Sequence, residues 1–263
     1  MARANRHFLP GLIWHITHRC HKKEFLLKFR RDRHEWLKWL YEAKKRFDLR
    51  ILDYMVTCNH VHLLVWDNGG KDAIPRSIHL VAGQTGQRYN RRKRRRGAYW
   101  EDRYHATAVD NDSHFLQCVA YIDLNMVRAG VVDYPSGWKF CGFNEIRNIP
   151  RRKSLLDYDS LIQLFGAKDI SSLQRKHREL IEETLSKKDF ARQAKWTESI
   201  AVGRREFIEK IKTRLRVRAK GREVVDSLGG FELREDGYLY CPIFEAKNAD
   251  LRLDNRVNWR INC

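Results

Sequence analysis

Two histidines within one apolar run constrain this chain more than any other feature. The run is Asn59-His60-Val61-His62-Leu63-Leu64-Val65, and its β-branched and aliphatic residues favour a strand. Because side chains alternate along a strand, His60 and His62 point to one face, and Val61, Leu63 and Val65 point to the other. Two imidazoles on one face can share a metal ion. An isolated pair of this kind is more often two half-buried histidines bonded to neighbours, so the metal interpretation depends on a second feature.

The second feature is a tyrosine and a carboxamide four residues apart, at Tyr121 and Asn125. Helix N-caps at residues 110–113 and a C-cap at Gly130 predict one helix between them. One stripe of this helix is apolar, and the opposite stripe is polar, with residues spaced three or four apart: Gln117, Tyr121, Asn125 and Arg128. If the helix packs beside the histidine strand, Asn125 can offer its side-chain oxygen as a third metal ligand, one turn from the Tyr121 hydroxyl.

The charge of the chain predicts a polyanionic partner, with nucleic acid as the first candidate. Its 263 residues carry 52 Lys and Arg against 33 Asp and Glu, a net charge of +19, and the hydrophobic content of 43% is that of a globular protein. The densest run, residues 91–96, predicts either phosphate contacts or a solvated mobile loop, and Tyr99 and Trp100 are close enough to stack on a base. The candidate DNA contacts are basic: Arg19, Arg91, Arg92, Lys93, Arg94, Arg95, Arg96, Arg103 and Arg128.

Signals for other compartments are missing from the sequence. No segment approaches the roughly 18 continuous apolar residues of a membrane span, and the first residues have no apolar signal region. We therefore expect a cytoplasmic protein with no membrane partner. The six cysteines form no Cys-x-x-Cys pair, which argues against a zinc knuckle and a disulfide framework. We interpret them as reduced thiols, most of them buried.

The order of the predicted elements indicates an α+β fold, an antiparallel sheet with packed helices. Before the tyrosine helix the elements alternate, with strands at 12–17, 50–57, 60–66 and 103–109 and helices at about 36–47 and 75–90. Later patterns are mainly helical, with one hairpin that joins residues 231–234 to 238–240 through an Asp-Gly turn. We expect one domain over residues 1–150 and a mostly helical C-terminal extension over residues 151–263.

These motifs and this order of elements resemble the IS200-like single-tyrosine HUH transposases, and more closely their REP-associated tyrosine transposase branch. The resemblance covers about residues 6 to 147, and its most specific part is Tyr121-Ile122-x-x-Asn125-x-Val127-Arg128-Ala129-Gly130. It implies a ferredoxin-like HUH nuclease core. Two residues depart from the family pattern, Cys58 and Met126, each where the family often has proline, and neither is a reacting group.

The resemblance also implies a ligand set and a nucleophile. His60, His62 and Asn125 would hold a divalent metal, Mg²⁺ or Mn²⁺, and Tyr121 would attack the DNA. A phosphodiester needs a cation on its anionic oxygens and an attacking group held in line. Attack by Tyr121 would give a 5′-phosphotyrosine and a free 3′-hydroxyl, and a second 3′-hydroxyl could then rejoin the strand. The expectation is a transposase, acting as a monomer or homodimer, that cleaves and rejoins single-stranded or hairpin DNA.

Two other functions remain open at this point. In the first, the chain binds nucleic acid without chemistry, as a regulator of hairpins or an RNA chaperone, and Tyr121 is an ordinary helix tyrosine. In the second, His60 and His62 hold a metal that activates water, so that cleavage leaves no protein adduct. Four other tyrosines are alternative nucleophiles, but none has a carboxamide one helical turn later: Tyr54, Tyr89, Tyr99 and Tyr104.

Overall fold

The computed structural model describes residues 9–67, 72–187, 191–219, 221–227 and 229–235. Its first half alternates strands and helices and then continues in short helices. The elements are β1 (Ile13–Arg19), α1 (Arg30–Phe47), β2 (Arg50–Val56), β3 (His60–Trp66), α2 (Ala73–Lys93), β4 (His105–Val109), α3 (Ser113–Asp123), α4 (Asn125–Arg128) and α5 (Gly142–Arg147). All four predicted strands and both early helices are present.

The first four strands form an antiparallel sheet in the order β2-β3-β1-β4. A β-α-β-β-α-β chain with this strand order has a ferredoxin-like arrangement. The predicted α+β fold is therefore confirmed, and the histidine strand β3 lies inside the sheet, between β2 and β1. Because both neighbours of β3 bond to its backbone, the position of its side chains is fixed on each side.

The C-terminal half adds both helices and strands. Its elements are α6 (Tyr158–Leu164), α7 (Ile170–Ser186), α8 (Lys195–Glu198), β5 (Ala201–Gly203), α9 (Arg205–Leu215), β6 (Arg222–Ser227) and β7 (Gly230–Glu235). β5 pairs in parallel with β4, and β7 then pairs antiparallel with both β5 and β6. One sheet of seven strands, mixed at the β4–β5 pair, therefore runs through both halves of the chain.

The hairpin forms elsewhere than predicted. Residues 231–234 are in β7 as expected, but the hairpin partner of β7 is the preceding strand β6, and β5 lies on its other side. The predicted partner, residues 238–240, lies outside the described residues. The hydrophobic pattern of the sequence did not predict β6, because Arg222–Ser227 contains three charged residues. It did not predict β5, because three residues are too short a strand to show alternation.

The two faces of the sheet have different chemistry. On one face, Val61 and Leu63 of β3 and Ile16 of β1 pack beneath Trp36 of α1 and Val81 of α2. The opposite face carries the histidines and is covered by α3, which packs near β2 and β4. The predicted alternation along β3 is therefore confirmed: Val61 and Leu63 enter the helix layer, and the two imidazoles lie on the other side.

The tyrosine helix is two helices rather than the single one predicted. α3 ends at Asp123, Leu124 has backbone angles φ −83° and ψ 4°, and α4 begins at Asn125. The carbonyl of Tyr121 accepts a hydrogen bond from Nη2 of Arg128 at 2.7 Å. A side chain thus bonds a carbonyl near the end of α3, where helical carbonyls run out of backbone partners. Gly130, with φ +66°, ends the segment as predicted.

A buried acid–base pair joins the tyrosine helix to the C-terminal half. Nε2 of His177, on α7, lies 2.7 Å from Oδ2 of Asp123 at the end of α3, and both side chains are buried. Asp53 of β2 is nearby, and burial, together with the charge of Asp123, raises the pKa of Asp53 well above its ordinary value. The sheet, α3 and α7 therefore meet at a small group of buried polar residues.

Among the described residues, no helix is both long enough and apolar enough to cross a membrane. Four of the six cysteines are described, and each is a buried free thiol: Cys20, Cys58, Cys118 and Cys141. The prediction of reduced, buried thiols is confirmed for these four, and Cys241 and Cys263 lie outside the described residues.

We expect His177→Phe to lower the free energy of unfolding by about 3 kcal/mol, because it leaves the Asp123 carboxylate buried without its donor. Urea denaturation measures this loss. His79→Phe, at an exposed position on α2, is the matched control and should cost less than about 0.5 kcal/mol. Equal losses in the two variants would contradict a specific role for the pair.

Candidate active site

His60 begins β3, and a neighbouring amide holds its ring. Its Nδ1 lies 2.7 Å from Oδ1 of Asn59 and 3.0 Å from Oγ1 of Thr57. The other end of the Asn59 amide, Nδ2, donates to the carbonyl of Lys23 at 3.3 Å. Because that bond directs Oδ1 towards His60, the Nδ1–H of His60 donates to Asn59 and its Nε2 keeps a lone pair. Asn59 therefore orients the first histidine of the pair.

His62 lies on the same face, with its ring centroid 4.9 Å from that of His60. Its Nδ1 is 3.0 Å from Nε2 of His15 on β1, and the Nδ1 of His15 donates to the carbonyl of Trp196 at 2.9 Å. On its other side, Nε2 of His62 accepts from the Asn125 amide Nδ2 at 3.1 Å. The structure thus brings together His60, His62 and Asn125, the three residues that the sequence suggested as metal ligands.

The donor set suits a divalent cation. Two imidazole nitrogens with one carboxamide oxygen match the ligand preferences of first-row divalent metals. The Asn125 amide already reaches Nε2 of His62, and rotation of an amide by a half turn exchanges its nitrogen for its oxygen. The residues present therefore fit the metal that the resemblance implies.

Tyr121 packs against His62 of the histidine pair and against His15. The centroid of its ring lies 5.8 Å from that of His62, 6.1 Å from that of His15 and 6.1 Å from that of Trp196. The guanidinium carbon of Arg128 lies 4.0 Å from the same ring centroid, within cation–π range. Only 7% of Tyr121 is exposed, so the phenol is held in a preset position by its neighbours.

Burial sets the protonation of the site. It lowers the pKa of His15 to about 3 and that of His60 to about 3, and it lowers the pKa of His62 well below its ordinary value. Neutral imidazoles are the form that binds metals. Burial also raises the pKa of Tyr121, while the positive charges of Arg128 and Arg192 act to lower it. The site therefore holds its histidines ready to ligate and its tyrosine protonated until a cation or base assists.

A second set of side chains has metal-ligand spacing, at the N-terminus of α3. Asp110, Asp112 and His114 offer ligand atoms within 4.8 Å of one another. Nε of Arg204 lies 2.8 Å from Oδ2 of Asp110 and 2.8 Å from Oδ2 of Asp112. The guanidinium thus already neutralises the two carboxylates. Asp112 also caps α3 by accepting from the backbone of His114 at 2.9 Å, so the cluster has a structural explanation.

The basic run divides into paired and exposed residues. α2 extends three residues beyond its predicted end, so the run begins inside the last turn of the helix, where positive charge is favoured. Arg92 forms an ion pair with the buried Asp32, and Arg95 pairs with Glu24 at 3.5 Å. The remaining members of the run are exposed: Arg91, Lys93, Arg94 and Arg96. Of the other candidate contacts, Arg103 is exposed and Arg19 lies 3.8 Å from Glu101.

The sequence suggested that Tyr99 and Trp100 stack on a base, but the structure does not place them to do so. Tyr99 is 4% exposed and its hydroxyl donates to the carbonyl of Leu26. The ring of Trp100 lies 4.1 Å from that of His18, nearly parallel to it. Both aromatics follow the basic run closely in the sequence, but in the structure they fill the space between β1 and α2. Tyr54 and Tyr104, two of the alternative nucleophiles, are also buried in the core.

Three contributors to the site escaped the sequence analysis. His15 belongs to the predicted first strand, and its position on the face of Thr17 was visible, but nothing in the sequence gives the register that sets β1 against β3. Asn59 is part of the histidine motif, but the sequence indicated no role for its side chain. Trp196 contributes a backbone carbonyl, which leaves no mark in a sequence. Only the folded chain brings residue 196 to residue 15.

Comparisons with known proteins point in one direction. The family model described as "Transposase IS200 like" matches residues 9–125. The chain is similar, at 20% identity and a TM-score of 0.48, to the structure of a REP-associated tyrosine transposase bound to a REP hairpin, over 55% of this chain and 84% of that one. It is also similar to a Deinococcus radiodurans protein assigned as a transposase, at 16% identity and a TM-score of 0.33, over 46% of this chain and 95% of that one. No match was found among curated proteins.

We expect Arg128→Met to raise the pKa of Tyr121 further, because the guanidinium over the ring favours the phenolate. Titration of tyrosine labelled with ¹³C at Cζ, followed by NMR, measures this pKa directly. Arg128→Lys is the matched control, since it retains the charge and should give a smaller rise. An unchanged or lowered pKa in Arg128→Met would show that Arg128 does not act on the phenol.

Proposed function

We propose, from the match of residues 9–125 to the model of the IS200-like transposase family, that this chain cleaves and rejoins single-stranded DNA through Tyr121. The match supports the transposase enzyme that the sequence predicted. The proposal adds the reaction route, the metal and the form of the DNA. One observation carries it: a tyrosine ring, two imidazoles and a carboxamide converge on a single face of the sheet.

Tyr121 is the group that forms the covalent bond. Its Oη attacks a backbone phosphorus, the bond from phosphorus to the 3′ oxygen breaks, and the phenolic proton is lost as the departing oxygen becomes a 3′-hydroxyl. The strand is then held as a 5′-phosphotyrosine. Attack of another 3′-hydroxyl on the same phosphorus releases the tyrosine and joins the new strand. Because the phosphotyrosine conserves the bond, transfer needs no external energy source.

The protein side chains prepare this attack. His60, His62 and Asn125 would hold a divalent cation, Mg²⁺ or Mn²⁺, which when bound neutralises the phosphate oxygens. Arg128 supports the phenol by bonding the Tyr121 carbonyl and lying over the ring. Burial of Tyr121 limits its rotation, so little motion must be frozen before attack.

Charge supports DNA as the substrate. The net charge of +19 and the exposed part of the basic run provide sequence-independent attraction to phosphates. A REP-associated relative is described as bound to a REP hairpin, and we propose a hairpin with a single-stranded flank as the form of DNA for this chain. A single-stranded flank is needed because the phosphorus must approach a buried phenol, which a duplex would be too wide to reach.

The proposal predicts a covalent protein–DNA adduct. Protein incubated with labelled hairpin oligonucleotides and Mn²⁺ should give an adduct on denaturing gels. Tyr121→Phe should abolish it by removing the nucleophile, and His60→Ala should lower it by about 10²-fold or more. Tyr89→Phe, which changes a tyrosine on α2, is the matched control and should keep full adduct formation.

The other outcomes identify the rival functions. Cleavage that survives Tyr121→Phe would make water the nucleophile. Hairpin binding without adduct or cleavage, across a broad oligonucleotide panel and with both metals, would identify a regulator that lacks chemistry.

The exposed basic residues should set the salt dependence of DNA binding. Replacing Arg91, Lys93, Arg94 and Arg96 by Gln should reduce the slope of log K against log salt by about 3, because each phosphate contact to a single strand contributes roughly 0.7. A matched change on the C-terminal half, at the exposed Arg175, Arg178, Lys187 and Lys210, should alter the slope less. Equal effects would mean that overall charge, rather than the run, binds the DNA.

A further inference from the structure

His15 lies directly behind the histidine pair and is fully buried. Its Nε2 is 3.0 Å from Nδ1 of His62, and its Nδ1 is 2.9 Å from the carbonyl oxygen of Trp196. The planes of the two imidazoles differ by 7°, and their centroids are 5.2 Å apart. These values fit a hydrogen bond within a common plane, so His15 uses both ring nitrogens for geometrically good bonds.

The direction of these bonds follows from the carbonyl. A carbonyl oxygen can only accept, so Nδ1 of His15 carries a hydrogen. Both nitrogens of this buried ring bond to neutral groups, so the imidazole carries a single hydrogen and its Nε2 accepts. Nδ1 of His62 must therefore be the donor, and the lone pair on Nε2 of His62 accepts from the Asn125 amide.

We propose that His15 is a positioning residue that fixes His62 in the tautomer with hydrogen on Nδ1, which leaves Nε2 available as a metal ligand. This inference rests on the proposed function, because it assigns His15 a role only if His62 binds a cation. A ligating histidine commonly donates its second ring nitrogen to such an outer partner, and loss of that partner weakens metal binding.

The two histidines of the pair are oriented by different parts of the chain. His60 is held by Asn59, its immediate neighbour, through a bond of 2.7 Å. His62 is held through His15 by Trp196, a residue of α8 in the C-terminal half. The same carbonyl of Trp196 also accepts from Oγ1 of Thr107 at 3.3 Å, so its position does not depend on His15 alone. The carbonyl of Trp196 therefore links the C-terminal half to the orientation of His62.

Three substitutions separate orientation from packing. His15→Phe keeps a ring of similar size and removes both hydrogen bonds. His15→Gln keeps an amide oxygen that can accept from His62 and an N–H that can donate to Trp196. Thr107→Val removes the other hydrogen bond to the Trp196 carbonyl, together with a 2.7 Å bond to the Ser199 carbonyl, and removes no bond to His15 or His62, so it reports the effect of loosening the α8 segment.

Two measurements on the full-length protein test the proposal. The first is the tautomer of His62 in metal-free protein, read from the ¹⁵N shifts of labelled histidine. Wild type should show hydrogen on Nδ1 and none on Nε2, and His15→Phe should shift the population towards the other tautomer. The second is the Mn²⁺ dissociation constant, measured by EPR of free Mn²⁺. It should rise by about 10- to 100-fold in His15→Phe, by a few-fold in His15→Gln, and remain unchanged in Thr107→Val.

The outcomes distinguish this inference from the proposed function. Hydrogen on Nε2 of His62 in the wild type would overturn the inference, even if His15→Phe does not fold. Unchanged Mn²⁺ affinity in a folded His15→Phe would also overturn it. Failure of the wild type to bind Mn²⁺ in a manner sensitive to His60→Ala would instead refute the metal site itself.

Discussion

The antiparallel pairing of β1 with β3 is the constraint on which the candidate site depends. It sets Thr17 opposite His62, so that His15, two residues earlier on the same face, comes within hydrogen-bonding distance of that ring. A slip of one residue would turn every imidazole into the helix layer. The aliphatic residues of β3 prevent this slip, because the same shift would move Val61 and Leu63 out of the apolar helix layer and into the polar site. Apolar packing on one face therefore fixes polar geometry on the other.

The tyrosine is held by a different principle, the satisfaction of hydrogen bonds in a confined space. The carbonyl of Tyr121 bonds to the guanidinium of Arg128, and Asp123 bonds to His177 behind the site. Each of these contacts crosses from one element to another, so the nucleophile is fixed relative to both α4 and α7. A transesterification that must run forwards and backwards benefits from a nucleophile that does not move between the two steps.

Local patterns predicted the core well and long-range contacts poorly. Alternation identified β3 and the face of its histidines, and cap residues marked both ends of the Tyr121 segment, because these signals depend on neighbours in sequence. The sequence did not predict the break at Leu124, because the break accompanies a bond from Arg128 to a backbone carbonyl, which local patterns do not reveal. Strand β5 and the role of His15 escaped for a similar reason, since each depends on a partner roughly a hundred or more residues away in the chain. The prediction that Tyr99 stacks on a base was wrong, because an aromatic residue beside a basic run gives the same sequence pattern whether its ring faces DNA or the core.

The parallel pairing of β4 with β5 has a consequence for how such a chain can be inherited. The family match ends at residue 125, yet the ladder of backbone bonds continues from β4 into β5, β7 and β6. A fragment cut before α6 would leave the β4 edge bare, the His15 N–H without its acceptor and Asp123 without His177. An exchange of the C-terminal half for another sequence would have to replace all three at once. Recombination just before α6 would therefore seldom yield a working protein, and the two halves should descend together.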